Sequence, residues 1–355
     1  MRKLVRPVTL GELCAHLDAR IDADQQDLPL RALASLASAG PDELSFLTDS
    51  RYRHSATQSG AGAILITEAN REALPPACAA VIVDDAYLAF ARAAQWFESK
   101  LAAEDGGAGD ETAIHPNAVI DPQAQLGAGV RVAAGAVIGR GAQLADNVHI
   151  GPNVTVGARA RIGARTVLMA SVSVYPDVRI GEDCLVHSNA TLGADGFGFA
   201  REGDGWAKIP QLGGLQIGDR CEIGANTSID RGALDDTRLG NDCVVDNQVQ
   251  IAHNVVIGDG CALAGCVGIA GSARIGRRCL LGGGSGINGH IELADDVVVS
   301  PMAFVTSSIR KSGFYSGTFP LMTNHQWERS AAVLKQLPDL RSRLRYLEKI
   351  TREFQ

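Results

Sequence analysis

Ile114, Ile120, Leu126, Val132, Ile138, Leu144, Ile150, Val156, Ile162, Leu168, Val174, Ile180, Val186 and Leu192 return an aliphatic side chain at every sixth position. The beat resumes at Ile217, Ile223 and Ile229 and gains four extra residues. It then runs through Leu239, Val245, Ile251, Ile257, Leu263, Ile269, Ile275, Leu281, Ile287, Leu293, Val299 and Val305. Six is neither the 3.6-residue period of a helix nor the two-residue period of an ordinary strand. It is the period of a hexapeptide solenoid, in which three short strands make one triangular coil and the aliphatic residue points into the prism. Twenty-nine beats at three per coil give about ten coils, each rising about 4.8 Å. Glycine often follows the aliphatic residue, as in Ile150-Gly151, Ile162-Gly163, Ile180-Gly181 and Ile257-Gly258, where a corner is expected to need backbone freedom.

Composition agrees with a fold of tight corners. Glycine reaches 40 of 355 residues, while aromatics make up only 5%. A net charge of −7 gives no reason to expect nucleic acid as a partner. Leu10–Leu17 is interrupted by Glu12 and His16, so no signal-peptide core is read there. No run of 18 apolar residues suggests a membrane span, and a cytoplasmic protein is expected. Five of the eight cysteines, Cys184, Cys221, Cys243, Cys261 and Cys279, occupy one phase of the repeat otherwise filled by Ala, Val or Thr, which predicts small-residue packing.

Outward from the prism (114–310), residues 1–101 read as a small α/β domain. Ala63-Ile64-Leu65-Ile66-Thr67 and Val81-Ile82-Val83 are its buried strands, and Ala86–Lys100 is helical. Residues 102–113 read as a linker. A C-terminal extension, 324–355, is expected as two helices, Asn324–Gln336 and Asp339–Glu353, divided at Pro338, with Leu340, Leu344 and Leu347 on one face. From Gln326 onward seven Lys/Arg face four Asp/Glu, so this tail is basic on an acidic body.

The same prism serves several functions, so the histidines must discriminate. His115, His149, His187, His253 and His290 lie far apart with no close pair, which argues against a metal site. His253 lies two positions past an inward aliphatic, so its side chain should project outward near a corner. Gly271 follows one coil later and His290 nineteen residues after that, so the three are expected to stack along one edge. That edge suits acyl transfer: an imidazole as general base, a bare glycine N–H as oxyanion donor, and a second imidazole for phosphate or developing charge. The bland alternative is a pair of surface histidines.

Gly193-Ala194-Asp195-Gly196-Phe197-Gly198-Phe199, Ile229-Asp230-Arg231-Gly232-Ala233-Leu234-Asp235-Asp236, Asp246-Asn247-Gln248-Val249-Gln250-Ile251-Ala252-His253-Asn254 and Ile287-Asn288-Gly289-His290 together resemble the UDP-3-O-(3-hydroxyacyl)glucosamine N-acyltransferases of lipid A biosynthesis. The resemblance runs the length of the chain. It implies a uridine-binding N-terminal domain, a left-handed β-helix and a C-terminal helical extension in a homotrimer with active sites between subunits. It implies His253 as general base and His290 as a contact to the sugar nucleotide's phosphates. Asp195, Phe197 and Gln250 are expected to line the substrate, the first two from a nineteen-residue insertion after Leu192 that also carries Lys208. Its alternative is a tolerated surface excursion.

In Ser45-Phe46-Leu47-Thr48-Asp49-Ser50-Arg51-Tyr52 the resemblance places uracil between Phe46 and Tyr52. Asp49 departs from the family's phosphate-binding Asn, and an ionised carboxylate there would repel phosphate. No permanently bound cofactor is implied; the phosphopantetheine of acyl carrier protein brings the acyl group. The carrier is expected to dock through Arg341, Arg343, Arg345 and Lys349, whose alternative is a solvated helix face. Met302 and Phe304 are expected to close an acyl groove, or else to pack beneath the tail. A coenzyme A-dependent sugar acyltransferase would lack the Phe46/Tyr52 clamp and the tail. A non-enzymatic scaffold would not need His253, Gly271 and His290 on one edge.

Overall fold

The computed structural model describes residues 2–104 and 113–353. The chain divides into two compact units, Met1–Glu111 and Thr112–Gln355.

In the first unit four parallel strands, Ala32–Leu33, Glu43–Phe46, Ala63–Ile66 and Ala79–Ile82, lie side by side in chain order. Every residue of Ala63–Ile66 is buried, as a parallel strand covered on both faces requires. Helix Leu10–Leu17 starts at a Thr9/Glu12 capping box and helix Ala86–Glu104 buries Ala86, Ala89, Ala93 and Phe97. The second helix runs through Glu104, past the expected boundary at 101, and the Glu104 carboxylate accepts the N–H groups of Val5 and Arg6. The rest of the expected linker, up to residue 112, lies outside the described residues.

The second unit is a parallel β-helix of three sheets. The first has ten strands, from Val119–Ile120 to Phe304–Val305; the second has nine, from Gln125–Leu126 to Glu292–Leu293; the third has ten, from Arg131–Val132 to Gly313–Tyr315. Outside the coils that carry the two insertions, partners are eighteen residues apart, as in Val137 with Thr155 and Ile138 with Val156. Ile114 makes only an isolated bridge to Val132, and Gly313–Tyr315, beyond the last beat, adds a strand past residue 310. The inward aliphatics form one continuous core. The five in-phase cysteines are buried with it, and their Sγ–H groups reach carbonyls of the next coil, Cys221 to Gly240 O at 3.1 Å and Cys261 to Gly276 O at 3.1 Å.

The corners correct one expectation. The residue with positive φ stands three places after the aliphatic, as in Asn153 (φ 57°) and Arg159 (φ 59°), and is usually not glycine. The glycine directly after the aliphatic answers to space instead: a Cβ on Gly151 would stand 2.8 Å from the Leu168 carbonyl oxygen of the next coil.

The C-terminal segment also differs from expectation. Asn324–Glu353 is one helix that runs through Pro338. Proline forfeits its own N–H bond, but on an exposed helix the released carbonyl meets water, and Ser342 Oγ donates to the Pro338 carbonyl at 3.0 Å. Leu344 and Leu347 stay exposed. Among the described residues no helix is long and apolar enough to cross a membrane.

Candidate active site

His253 stands at the corner between strand Gln250–Ile251 of the first sheet and Val256–Ile257 of the second. The equivalent corner position is Pro122, Pro152, Pro176 and Pro301 in other coils. Proline fits because in the regular coils the N–H of this position meets no backbone acceptor; where it is bonded, as at Ala128 and Arg277, the acceptor is an aspartate side chain of the next coil. At Gly271 the same position keeps its N–H, and among the described residues nothing bonds to it. The imidazole lies directly over this glycine: a Cβ on Gly271 would come within 2.7 Å of His253 Cε1 and 2.8 Å of Nε2.

The third rung of this stack is Gly289, whose added Cβ would meet the Gly271 carbonyl oxygen at 2.9 Å. His290 stands one residue further, in the left-handed corner at φ 60°, exposed, its own N–H donating to Gly271 O at 3.2 Å. It shares the edge with His253 and Gly271 but is one residue out of their register.

Both interruptions of the hexapeptide beat leave this same edge. The long insertion departs after Thr191–Ala194, and the four extra residues follow Ser228–Asp230, the two first-sheet strands below Gln250–Ile251. The insertion brings Gly196 onto His253, where an added Cβ would lie 2.7 Å from His253 Cβ and 2.9 Å from Cδ2. The His253 side chain is thus crowded by two glycines, Gly196 at its Cβ–Cδ2 side and Gly271 at its Cε1–Nε2 end. Asp195 pairs with Lys208 from the insertion's hairpin, whereas Phe197 is 79% exposed against Phe199. Gln250 Nε2 donates to Asp230 Oδ2 at 3.1 Å. Burial pushes the Asp230 carboxyl above its usual range, against the pull of Gln250 and of nearby His253, while the Asp195 charge adds to the rise.

Sequence reading missed Gly196, Asp230 and Asn254 as members of this centre. Asn254 Oδ1 lies 3.1 Å from His253 Nδ1. The signal was present: both breaks in the beat fall at one phase, the phase of His253.

Along the first sheet the outward residues run Ser228, Gln250, Gly268, Gly286, Phe304. Two glycines leave a trough whose far end is the Phe304 ring, which lies where a Gly286 Cβ would come within 2.7 Å. Met302 sits beside it at φ 60°; both side chains are more than 60% exposed, so neither packs beneath the tail.

In the N-terminal unit the Phe46 ring stacks on Phe90, with centroids 3.8 Å apart, and among the described residues no ring contact joins it to the exposed Tyr52. Asp49 is engaged by Arg51: its carboxylate accepts the Arg51 backbone N–H at 2.8 Å and two guanidinium bonds at 2.8 and 2.6 Å. Those bonds hold the Asp49 carboxyl below the usual carboxylate range. Among the described residues no cluster of three or more His, Cys, Asp or Glu is arranged to hold a metal ion.

Comparison with known proteins places the chain in a family. Residues 27–96 match the family model described as UDP-3-O-(3-hydroxymyristoyl) glucosamine N-acyltransferase, LpxD. The bacterial transferase hexapeptide model matches 135–170, 159–194 and 236–271, and the hexapeptide repeat of succinyl-transferase matches 214–252 and 272–301. Among curated proteins, the UDP-3-O-acylglucosamine N-acyltransferase of Pseudomonas paraeruginosa is 49% identical over 96% of this chain and 94% of its own. The Bordetella pertussis enzyme of that name is 46% identical over 94% of this chain and 92% of its own. Among solved structures, the UDP-N-acetylglucosamine O-acyltransferase of Moraxella catarrhalis aligns over 62% of this chain and 78% of its own, at 28% identity and a TM-score of 0.47. With near-full-length identity of this order and hexapeptide repeats throughout its left-handed β-helix, the chain belongs to the UDP-3-O-acylglucosamine N-acyltransferase family.

Proposed function

We propose that this N-acyltransferase moves a 3-hydroxyacyl group from the phosphopantetheine of acyl carrier protein to the 2-amine of UDP-3-O-(3-hydroxyacyl)-glucosamine, giving UDP-2,3-diacylglucosamine for lipid A. The observation that carries the reading is the imidazole of His253 set against Gly271, whose N–H is unbonded among the described residues. The amine nitrogen attacks the thioester carbon while His253 Nε2 takes the amine proton. The tetrahedral oxyanion is held by the Gly271 N–H. Its collapse breaks the C–S bond, and the imidazolium returns the proton to the departing thiolate. No resident cofactor enters this balance.

His290, exposed on the same edge, is assigned to the phosphates; Phe46 and Tyr52 are assigned to the uracil. Phe90 then backs Phe46 on the side away from the base. Arg51 occupies the bonds of Asp49 that would otherwise face phosphate as bare charge, which answers the repulsion expected of an aspartate there. Asp195, Phe197 and Gln250 line the acceptor, and the Gly268–Gly286 trough holds the acyl chain up to Met302 and Phe304. The basic side chains Arg341, Arg343, Arg345 and Lys349, all exposed on the last helix, are assigned to the acidic carrier.

The two outer sides of the prism support a homotrimer. The second sheet turns Arg161, Arg179, Arg238 and Arg274 outward with Val256 among them, whereas the third turns out Leu185, Val244, Ala262, Leu280 and Val298 with Glu222 among them. Val244, Ala262, Leu280 and Val298 line a groove of about 800 Å³ with Glu222 and with Phe314, which is 69% exposed. An apolar face of that kind fits another prism better than water. The reading of acceptor and donor is tested by incubating purified protein with UDP-3-O-(3-hydroxyacyl)-glucosamine and a panel of 3-hydroxyacyl thioesters of acyl carrier protein and coenzyme A. Formation of the diacyl product from the carrier thioester supports it, and turnover only with coenzyme A thioesters overturns the donor assignment.

A further inference from the structure

We propose that Asn254 is a positioning residue that fixes the tautomer of His253, keeping the ring proton on Nδ1 and leaving Nε2 with its lone pair over Gly271.

Four extra residues break the beat between Ile229 and Leu239. They form a loop braced on the long insertion: Leu212 N–H donates to Ala233 O at 2.8 Å and Gly213 N–H to Gly232 O at 3.0 Å. Arg231 ties in further strands of chain, its Nε donating to Gly213 O and its Nη2 to Pro176 O, both at 2.9 Å. What this loop grips is Asn254, in the left-handed corner at φ 60°. The Asn254 backbone N–H donates to the Oγ1 of buried Thr237 at 2.8 Å.

The amide side chain has one orientation that satisfies its partners. Nδ2 donates to the Asp235 carbonyl oxygen at 2.8 Å, and Oδ1 accepts from the Ala233 N–H at 3.0 Å. Turning the amide over would set N–H against N–H and carbonyl against carbonyl, losing both bonds. The atom facing His253 Nδ1 at 3.1 Å is therefore Oδ1, a pure acceptor. A neutral imidazole has one N–H, and it must stand on Nδ1. Gly196 against the Cβ–Cδ2 side of the ring and Gly271 against its Cε1–Nε2 end crowd the imidazole beside this bond. Two irregularities of the repeat thus converge on one oxygen atom.

The consequence is chemical. Only this tautomer offers a lone pair to the attacking amine; the other would present an N–H to it. The catalytic meaning rests on His253 being the general base, but the tautomer itself does not. The charge that reaches the ring is that of Asp230, from the strand beneath, and Asp195 of the insertion, close to Asp230, is paired with Lys208.

The direct test needs no variant. In wild-type protein labelled with ¹⁵N-histidine, with His253 assigned by difference from His253→Gln, neutral His253 should show a pyrrole-like Nδ1 and a pyridine-like Nε2. The reverse pattern overturns the proposal. Asn254→Asp keeps the acceptor and adds a charge, so it should keep the tautomer and move the acidic limb of kcat/KM upward by roughly one pH unit or more. Asn254→Leu should scramble the tautomer and lower kcat by about 10²-fold, with KM for the sugar nucleotide little changed. An unchanged kcat in a folded Asn254→Leu protein also overturns it. Loss of the tautomer with an inactive His253→Ala would sink this inference alone. The expected tautomer with an active His253→Ala would sink the general-base reading alone.

Discussion

Replacing Gly271 by alanine puts the arrangement of the centre under direct strain. Gly271 does not occupy a left-handed conformation, so alanine is allowed by the backbone, and the side chain would point out of the prism rather than into its core. The new Cβ meets the imidazole 2.7 Å from Cε1 and 2.8 Å from Nε2, so the ring must retreat by about 0.7 Å to reach an ordinary contact. Gly196 crowds the Cβ–Cδ2 side of the same ring, so the retreat should disturb the 3.1 Å bond to Asn254. A misplacement approaching 1 Å costs on the order of 10²-fold in turnover, about 2.7 kcal/mol. Steady-state kinetics should show kcat down by that factor with KM for the UDP-sugar within about threefold. The melting temperature should hold or rise slightly, since Gly→Ala at a permitted site restricts the unfolded chain. Combined with His253→Ala the change should cost little more, because the group it displaces is already gone. A folded Gly271→Ala enzyme with kcat within threefold of wild type would refute the close stacking of ring on glycine.

Other consequences are separable by kinetics. Phe46→Ala or Tyr52→Ala should raise KM for the sugar nucleotide about tenfold or more with kcat largely retained; unchanged KM in both would remove the clamp. Phe304→Ala should shift donor preference toward longer chains, because each added methylene it admits is worth about 0.8 kcal/mol. Competition between carrier thioesters two carbons apart reads this, and an identical preference in both enzymes removes the ruler. Arg341→Glu with Arg345→Glu should raise KM for the carrier thioester and leave KM for the UDP-sugar unchanged, and equal effects on both would argue against docking at this helix.

The prism was legible because its physics is local and periodic: each two-residue strand must send one aliphatic inward, so Ile150, Leu168 and Val186 mark their strands by spacing alone. The same counting misled where a side chain's role depends on chain path. Gly151 looked like a φ position, yet the left-handed residue is Asn153, because crowding by the next coil and backbone handedness act at different places in the corner. Spacing of nineteen put His290 on the right edge but hid that Gly289, not His290, completes the stack. Pro338 suggested a break that an exposed helix tolerates. Asn254 and Gly196 could not be assigned from the beat, since what they contact is supplied by two aperiodic loops. Their only trace in sequence was that both loops interrupt the repeat beneath His253.

The most direct measurement of the central claim is single-turnover N-acylation by His253→Ala beside wild type, with UDP-3-O-(3-hydroxyacyl)-glucosamine and a 3-hydroxyacyl carrier thioester, and sugar-nucleotide binding followed in parallel. His253 is half-buried at a corner and outside the prism's core, so the variant should fold and bind. Its rate should fall by at least about 10²-fold. A folded variant that keeps more than about a tenth of the wild-type rate would contradict general-base catalysis by His253.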